Sequence, residues 1–329
     1  MVVTRRTTMP IEPHRIDVHH HILPPDYVSA LTSAGISASG GRPIPAWDVQ
    51  STLELMDRHA ITTAITSISE PGIYFGNPAF VRDLARLCNE FSAQLIQEHP
   101  QRFGSFAILP LPDIDAALRE LEYAMDILHL DGVVLLSNFE GHYPGDPAFE
   151  ELFTELNSRK AVVFLHPTVP AINTGLKLDL PPFLVEFVFD TTRAVTNLIY
   201  SGTIERCPDI RFILAHAGGT VPYLAYRIAS GQVMLPGAPQ GVLTYLKQLY
   251  YDTALSANPY ALCSLQELAG SSHILFGSDY PFAPEIVTGF TLQGIQNYDG
   301  FDEQARKAIE RDSALALFPR FNKDQFRTG

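Results

Sequence analysis

Cysteine is scarce in this chain: three among 329 residues, at Cys88, Cys207 and Cys263, an odd and scattered set. Neither a disulfide framework nor a cysteine-rich zinc site is built from such a set. Basic residues are also few. The 23 Lys and Arg against 36 Asp and Glu leave a formal charge of −13, which disfavours non-specific binding to nucleic acid or to an anionic membrane. An anionic substrate therefore needs a local basic pocket. No apolar run approaches the ~20 residues that cross a bilayer, and the segment ahead of Pro13 has arginines and threonines but no apolar signal core. The expectation is a protein of the reducing cytoplasm with no nucleic-acid or membrane partner.

Several catalytic signatures are missing too. There is no Gly-x-Gly-x-x-Gly turn after the first strand, no phosphate-cradling Gly-x-x-x-x-Gly-Lys-Ser/Thr loop, no Gly-x-Ser-x-Gly elbow and no His-Glu-x-x-His helix. What the chain does have is a large apolar complement, 46% hydrophobic with 20 Phe and 13 Tyr. It is arranged in eight strand-like runs: 16–21, 63–68, 103–109, 132–136, 162–166, 212–216, 250–254 and 274–278. Amphipathic stretches such as 48–59, 78–98, 114–127, 146–160 and 184–203 lie between most of them. This alternation predicts a parallel sheet with crossover helices, and eight repeats predict closure into a TIM barrel, an α/β fold in one domain over 1–329. Two long connections, 33–45 with Arg42 and with Trp47 just beyond it, and 167–182, read either as active-site loops or as plain surface excursions.

Candidate ligands fall at the ends of these runs, where such barrels gather their catalytic groups. His19 and His21 alternate onto one face of the first strand, and His166, His216 and Asp279 follow later strands. A catalytic divalent metal wants a few imidazoles and carboxylates with one position open. His19, His21, His166 and Asp279 form the most economical set. His216 is then a fifth ligand or a general acid and base, the second role being preferred. His20 should face away, packed behind the wall or bonded to backbone. Asp17 would orient a ligand imidazole or close the strand base. Arg227 and Arg193 each offer a fork for a carboxylate or a plain ion pair, the latter preferred for Arg193. His142 is a weak candidate, and Phe282 would stack on an aromatic substrate near the metal.

The segments Ile16-Asp17-Val18-His19-His20-His21, Leu165-His166-Pro167, Leu214-Ala215-His216-Ala217-Gly218-Gly219 and Phe276-Gly277-Ser278-Asp279-Tyr280-Pro281 resemble the signatures of one branch of the amidohydrolase superfamily. That branch is typified by aminocarboxymuconate semialdehyde decarboxylase, and the likeness runs in order from Ile16 to Pro319. It implies a distorted (β/α)8 barrel and a metal-dependent, non-oxidative decarboxylase without an organic cofactor, a minority of members being hydrolases. By this resemblance His19, His21, His166 and Asp279 match the metal ligands, for Zn2+ or Mn2+, and His216 the catalytic histidine. Arg227 matches a substrate-carboxylate arginine that reaches a neighbouring subunit's site, which implies a homodimer, and Arg42 matches a second substrate arginine. The runs Asp190 to Asn197 and Asp252 to Ser256 look most like the 6-methylsalicylate decarboxylases. Resorcylate and carboxyvanillate decarboxylases carry Glu where His19 stands here. The expected activity is therefore release of CO2 from a small hydroxylated aromatic carboxylic acid. The alternatives are a hydrolase attacking an amide or lactone with metal-bound hydroxide and, less well founded, a metal-stabilised binding protein.

Overall fold

The computed structural model describes residues 14–170 and 179–322. Eight strands form in order: β1 (Arg15–His21), β2 (Ile61–Ser67), β3 (Phe103–Ile108), β4 (Gly132–Leu136), β5 (Val162–His166), β6 (Arg211–Leu214), β7 (Tyr250–Asp252) and β8 (Ile274–Leu275). Each pairs in parallel with the next, so spatial order equals chain order. Val, Ile, Leu and Phe crowd these strands because both faces are covered, one by the barrel interior and one by helices. One apolar cluster accordingly runs from Ile16 to Phe321.

The last strand has only two ladder residues, so the barrel is closed by other means. Val18 N–H donates to Phe276 O at 3.0 Å, Asp279 N–H to His19 O at 2.8 Å and His21 N–H to Tyr280 O at 2.7 Å. The Asp17 carboxylate completes the seam, accepting from Ser278 N–H at 3.0 Å and Ser278 Oγ–H at 2.6 Å.

Strands six, seven and eight end sooner than their apolar runs, which reach His216, Ala254 and Ser278. Side chains take the backbone donors out of the ladder: Asp252 accepts from the N–H groups of His216 and Ala254 at 3.0 and 2.9 Å, and beyond the eighth strand Gly277 N–H and Ser278 N–H donate to Thr253 Oγ1 and Asp17 at 3.3 and 3.0 Å. Helices also differ at their ends. The 114–127 stretch is α-helical over Ile114–Glu122 and widens to a π turn over Tyr123–Ile127, and 146–160 opens as a 3-10 turn, Pro147–Phe149, before Glu150–Ser158. The 21-residue helix Pro78–Glu98 matches its expected bounds: Asn77 caps it by accepting from Phe80 N–H, Pro78 stands in its first turn, and Val81, Leu84, Ala85 and Cys88 bury one stripe.

The 33–45 connection folds partly as a two-stranded antiparallel ribbon, Ala38–Ser39 with Arg42–Pro43. Residues 171–178 of the second long connection lie outside the described residues. No described helix is long and apolar enough to cross a membrane.

Candidate metal centre

Side chains from β1, β5, the turn after β6 and the segment after β8 meet at the C-terminal mouth of the barrel. His19 and His21 are wholly buried, and their Nε2 atoms stand 3.0 Å apart. Asp279 Oδ1 lies 3.2 Å from His19 Nε2 and 3.1 Å from His21 Nε2. One ligand atom from each of His19, His166, His216 and Asp279 falls within 4.8 Å of the others, so a metal-binding His/Asp cluster is present.

The opposite ring nitrogens explain the orientation. His19 Nδ1 is 2.7 Å from Asp252 Oδ2, His166 Nδ1 is 2.8 Å from Pro167 O, and His216 Nδ1 is 3.2 Å from Ala254 O. These three partners only accept, so each Nδ1 carries the hydrogen and each Nε2 turns a lone pair inward. His21 Nδ1 sits 3.0 Å from Ser67 Oγ, leaving its Nε2 beside Asp279. Converging lone pairs and a carboxylate repel one another unless a cation lies among them, and imidazole with carboxylate is a donor set that divalent metals accept.

A proton on His19 Nε2, beside Asp279, can stand where that cation would lie. Burial alone would push His19 down, but the carboxylates of Asp252 and Asp279 outweigh it and hold the imidazole up at about 10. Burial drives His21 down to about 4. Burial, then the neighbouring imidazoles, drives His166 well below its usual range and lowers His216 as well. Asp279 is held well below the usual carboxylate range, because His19 and His21 overcome the opposing effect of its burial. His216 and Asp279 also hold left-handed backbone, φ 53° and 61°, which costs a non-glycine residue roughly 1–3 kcal/mol. Strain at two of the converging groups marks the site as something the surrounding fold enforces.

A cavity of about 600 Å3 opens onto the cluster, with His166, His216 and Asp279 on its floor. Phe282 lines it, its ring 5.5 Å from that of His21 in an edge-to-face pair. Arg42, carried in by the ribbon, is the one cationic side chain among the described lining residues, and its guanidinium lies 5.3 Å from the Phe183 ring centre. A second cavity of about 590 Å3, above β3 and β4, touches none of the clustered residues.

A family model described as amidohydrolase matches residues 16–320. The chain belongs to the amidohydrolase family. This amidohydrolase is 41% identical over 332 residues to the decarboxylase yanB of Aspergillus niger, across 93% of this chain and 88% of that one. It is 37% identical over 320 residues to the 6-methylsalicylic acid decarboxylase of Penicillium expansum, across 93% and 96%. A crystal structure of an amidohydrolase II superposes with a TM-score of 0.89 at 32% identity, covering 93% of this chain and 99% of that one.

Not every candidate side chain of this amidohydrolase reaches the mouth of the barrel. Arg227 is exposed on the helix Val221–Ser230, away from the described lining of its own chain's cavity. Arg193 pairs with Asp190 at 3.4 Å, and His142 is exposed and paired with Asp146 at 3.0 Å. His20 is turned from the site, as expected, but its partner is the Asp17 carboxylate at 3.0 Å rather than backbone. Asp17 orients no ligand ring, because a register shift in β1 between Asp17 and His20 breaks the strict alternation that would have put it behind His19 and His21. Asp252 and Ser67 fix two of the imidazoles, and sequence reasoning passed over both. The one available signal was a buried-strand aspartate closing the apolar run before Thr253.

Proposed function

We propose that this amidohydrolase is a metal-dependent carboxy-lyase that removes CO2, without oxidation, from a small hydroxylated aromatic acid of the 6-methylsalicylate type. The observation that carries this reading is the set of inward Nε2 lone pairs with Asp279, set under a cavity that is largely apolar and holds Arg42. An aromatic ring fits the walls with Phe282, and a carboxylate fits the guanidinium. The names of its decarboxylase relatives support the same reaction.

His19, His21, His166 and Asp279 would hold the cation, with His216 beside them for proton transfer. Imidazole-rich donors favour Zn2+, and the carboxylate leaves Mn2+ as the competitor. When bound, the metal would supply Lewis acidity to an ortho-hydroxybenzoate and lower the pKa of its hydroxyl. Asp279, held as an anion by the imidazoles around it, accepts that hydroxyl proton and passes it to the carboxyl-bearing ring carbon. The bond to the carboxylate carbon then breaks, its electron pair stays with the ring, and aromaticity returns as CO2 leaves. Arg42 holds the carboxylate end, and the apolar wall keeps water from taking the proton's place.

Arg227 is assigned to a neighbouring subunit's cavity, which makes the functional unit a homodimer. Its exposed position beside Tyr223 and Tyr226, 84% and 83% accessible, supports that assignment. The test is CO2 release from a panel of ortho-hydroxylated aromatic acids by metal-replete protein. Asp279→Asn should abolish release. Release undiminished by the substitution, or hydrolysis of lactones with no release from any acid, overturns the reading.

A further inference from the structure

Asp190, in the helix Glu186–Tyr200, is completely buried yet lies outside the metal cluster. Four donors converge on its two oxygens: the hydroxyl of Ser137, Asn138 Nδ2 at 2.7 Å, Tyr143 Oη at 2.5 Å and Arg193 Nη1 at 3.4 Å. Burying a carboxylate costs several kcal/mol of desolvation even when it is well bonded, so filling space is a poor reason for its presence. The informative partner is Ser137. Because its hydroxyl donates to Asp190, its lone pairs are left for Thr168 N–H, 3.0 Å away, while its own N–H donates to His166 O at 2.8 Å. Ser137 thus clamps the His166-Pro167-Thr168 tripeptide at both ends. Pro167 O, between the clamps, is the acceptor that fixes His166 Nδ1.

One half-turn further along the same helix, Thr192 grips the segment that bears His216. Its Oγ1 accepts from Thr220 N–H at 3.0 Å, sits 2.8 Å from Thr220 Oγ1 and donates to Val188 O at 2.8 Å. The turn is pressed onto the helix backbone there: a Cβ at Gly219, where φ is +65°, would lie 2.1 Å from Val188 O. His166 and His216, whose ring centres are 5.8 Å apart, are therefore both referred to one rigid helix.

We infer that Asp190 and Thr192 are positioning residues that together set the separation of the His166 and His216 donor atoms, and with it the cation site. Asp190 acts through Ser137 and Thr192 through Thr220. The inference rests on the metal reading above. It says that the Asp190-Thr191-Thr192 turn is a gauge for the metal centre rather than a generic helix contact. In Asp190→Asn an amide NH2 replaces one of the two acceptors and must face donors, so the network loosens either at Ser137 and Asn138 or at Tyr143 and Arg193.

The experiment measures Zn2+ affinity of the full chain by chelator competition, and coordination geometry from the visible absorption of the Co2+-substituted protein. Asp190→Asn, Ser137→Ala and Thr192→Val should each weaken Zn2+ binding about 10–100-fold and move the Co2+ bands. Thr192→Ser, which keeps the hydroxyl, should restore both. Arg320→Ala serves as the control for plain destabilisation. It breaks the 2.5 Å pair with Asp131 at the opposite end of β4, and should lower the melting temperature while leaving Zn2+ affinity and the Co2+ spectrum alone. Parental affinity and an unchanged spectrum in Ser137→Ala and Thr192→Val overturn the inference, even if Asp190→Asn fails to fold. Failure of the parent chain to bind either ion overturns the metal reading itself, and this inference with it.

Discussion

Asp252 is not among the described residues that line the cavity, yet its two oxygens serve His19 Nδ1, His216 N–H and Ala254 N–H at once. Asp252→Asn exchanges one acceptor for a donor, so either the His19 ring or the His216 turn loses its anchor. Metal affinity should fall about 10–100-fold, read by titration of the metal-free protein, and an unchanged affinity would remove Asp252 from the site. The contrast with the clustered histidines and Asp279 explains what a sequence reveals at this scale. His19, His21, His166, His216 and Asp279 stand at the ends of apolar runs, and barrel geometry carries strand ends to one mouth. Asp252 and Ser67 bear on the rings from behind. Their distances to the imidazoles depend on how two strands are staggered, and no residue spacing records that. Asp17 meets the His20 ring and the seam rather than one of the clustered rings for a similar reason, since alternation is legible and a local register shift is not.

At the level of elements, the β1–β8 seam depends on a distant segment. The π turn Ala308–Asp312 brings Glu310 against the start of β1, 2.8 Å from His14 Nε2 and 3.3 Å from Arg15 Nε, and Ile309 O accepts from Phe276 N–H at 2.9 Å. Burial would raise the Glu310 carboxyl, but His14 and then Arg15 prevail and lower it. A carboxyl lowered on folding stabilises the native state at pH above its unfolded value near ~4.3, and that stability drains away as pH falls through the lower folded value. Glu310→Gln should thus cost about 1–3 kcal/mol at neutral pH. The difference from the parent should shrink steadily below about pH 4, as checked by urea unfolding at several pH values. A gap that stays constant into acid would place the effect in packing. The eight runs and the long helix Pro78–Glu98 were readable because periodicity and capping are local properties. The early ends of β6 and β8 were not, because the carboxylates that take their donors, Asp252 and Asp17, lie on neighbouring strands.

For the whole molecule, the expected dimer turns on an apolar strip. Tyr223, Tyr226, Val233 and Met234 are 84%, 83%, 92% and 81% accessible, and a monomer rarely leaves so many large apolar groups together in water. Tyr226→Glu should produce monomers in sedimentation velocity. If Arg227 completes a neighbour's cavity, the same variant should lose decarboxylation while still binding metal, and retention of full activity by the monomer would refute the shared site. The fold class needed no such partner to be legible, since eight alternations admit few closures.

The seam between first and last strands has a temporal meaning as well. His21 and Asp279, 3.1 Å apart in the finished protein, are separated by 258 positions along the chain. During translation His19 and His21 leave the ribosome long before their carboxylate partner is made, and domains of this kind acquire such distant contacts last. On the proposed ligand set, the donors are complete only in chains that reach the last strand. A chain terminated before Asp279, however well its early strands pair, offers the cation an incomplete set.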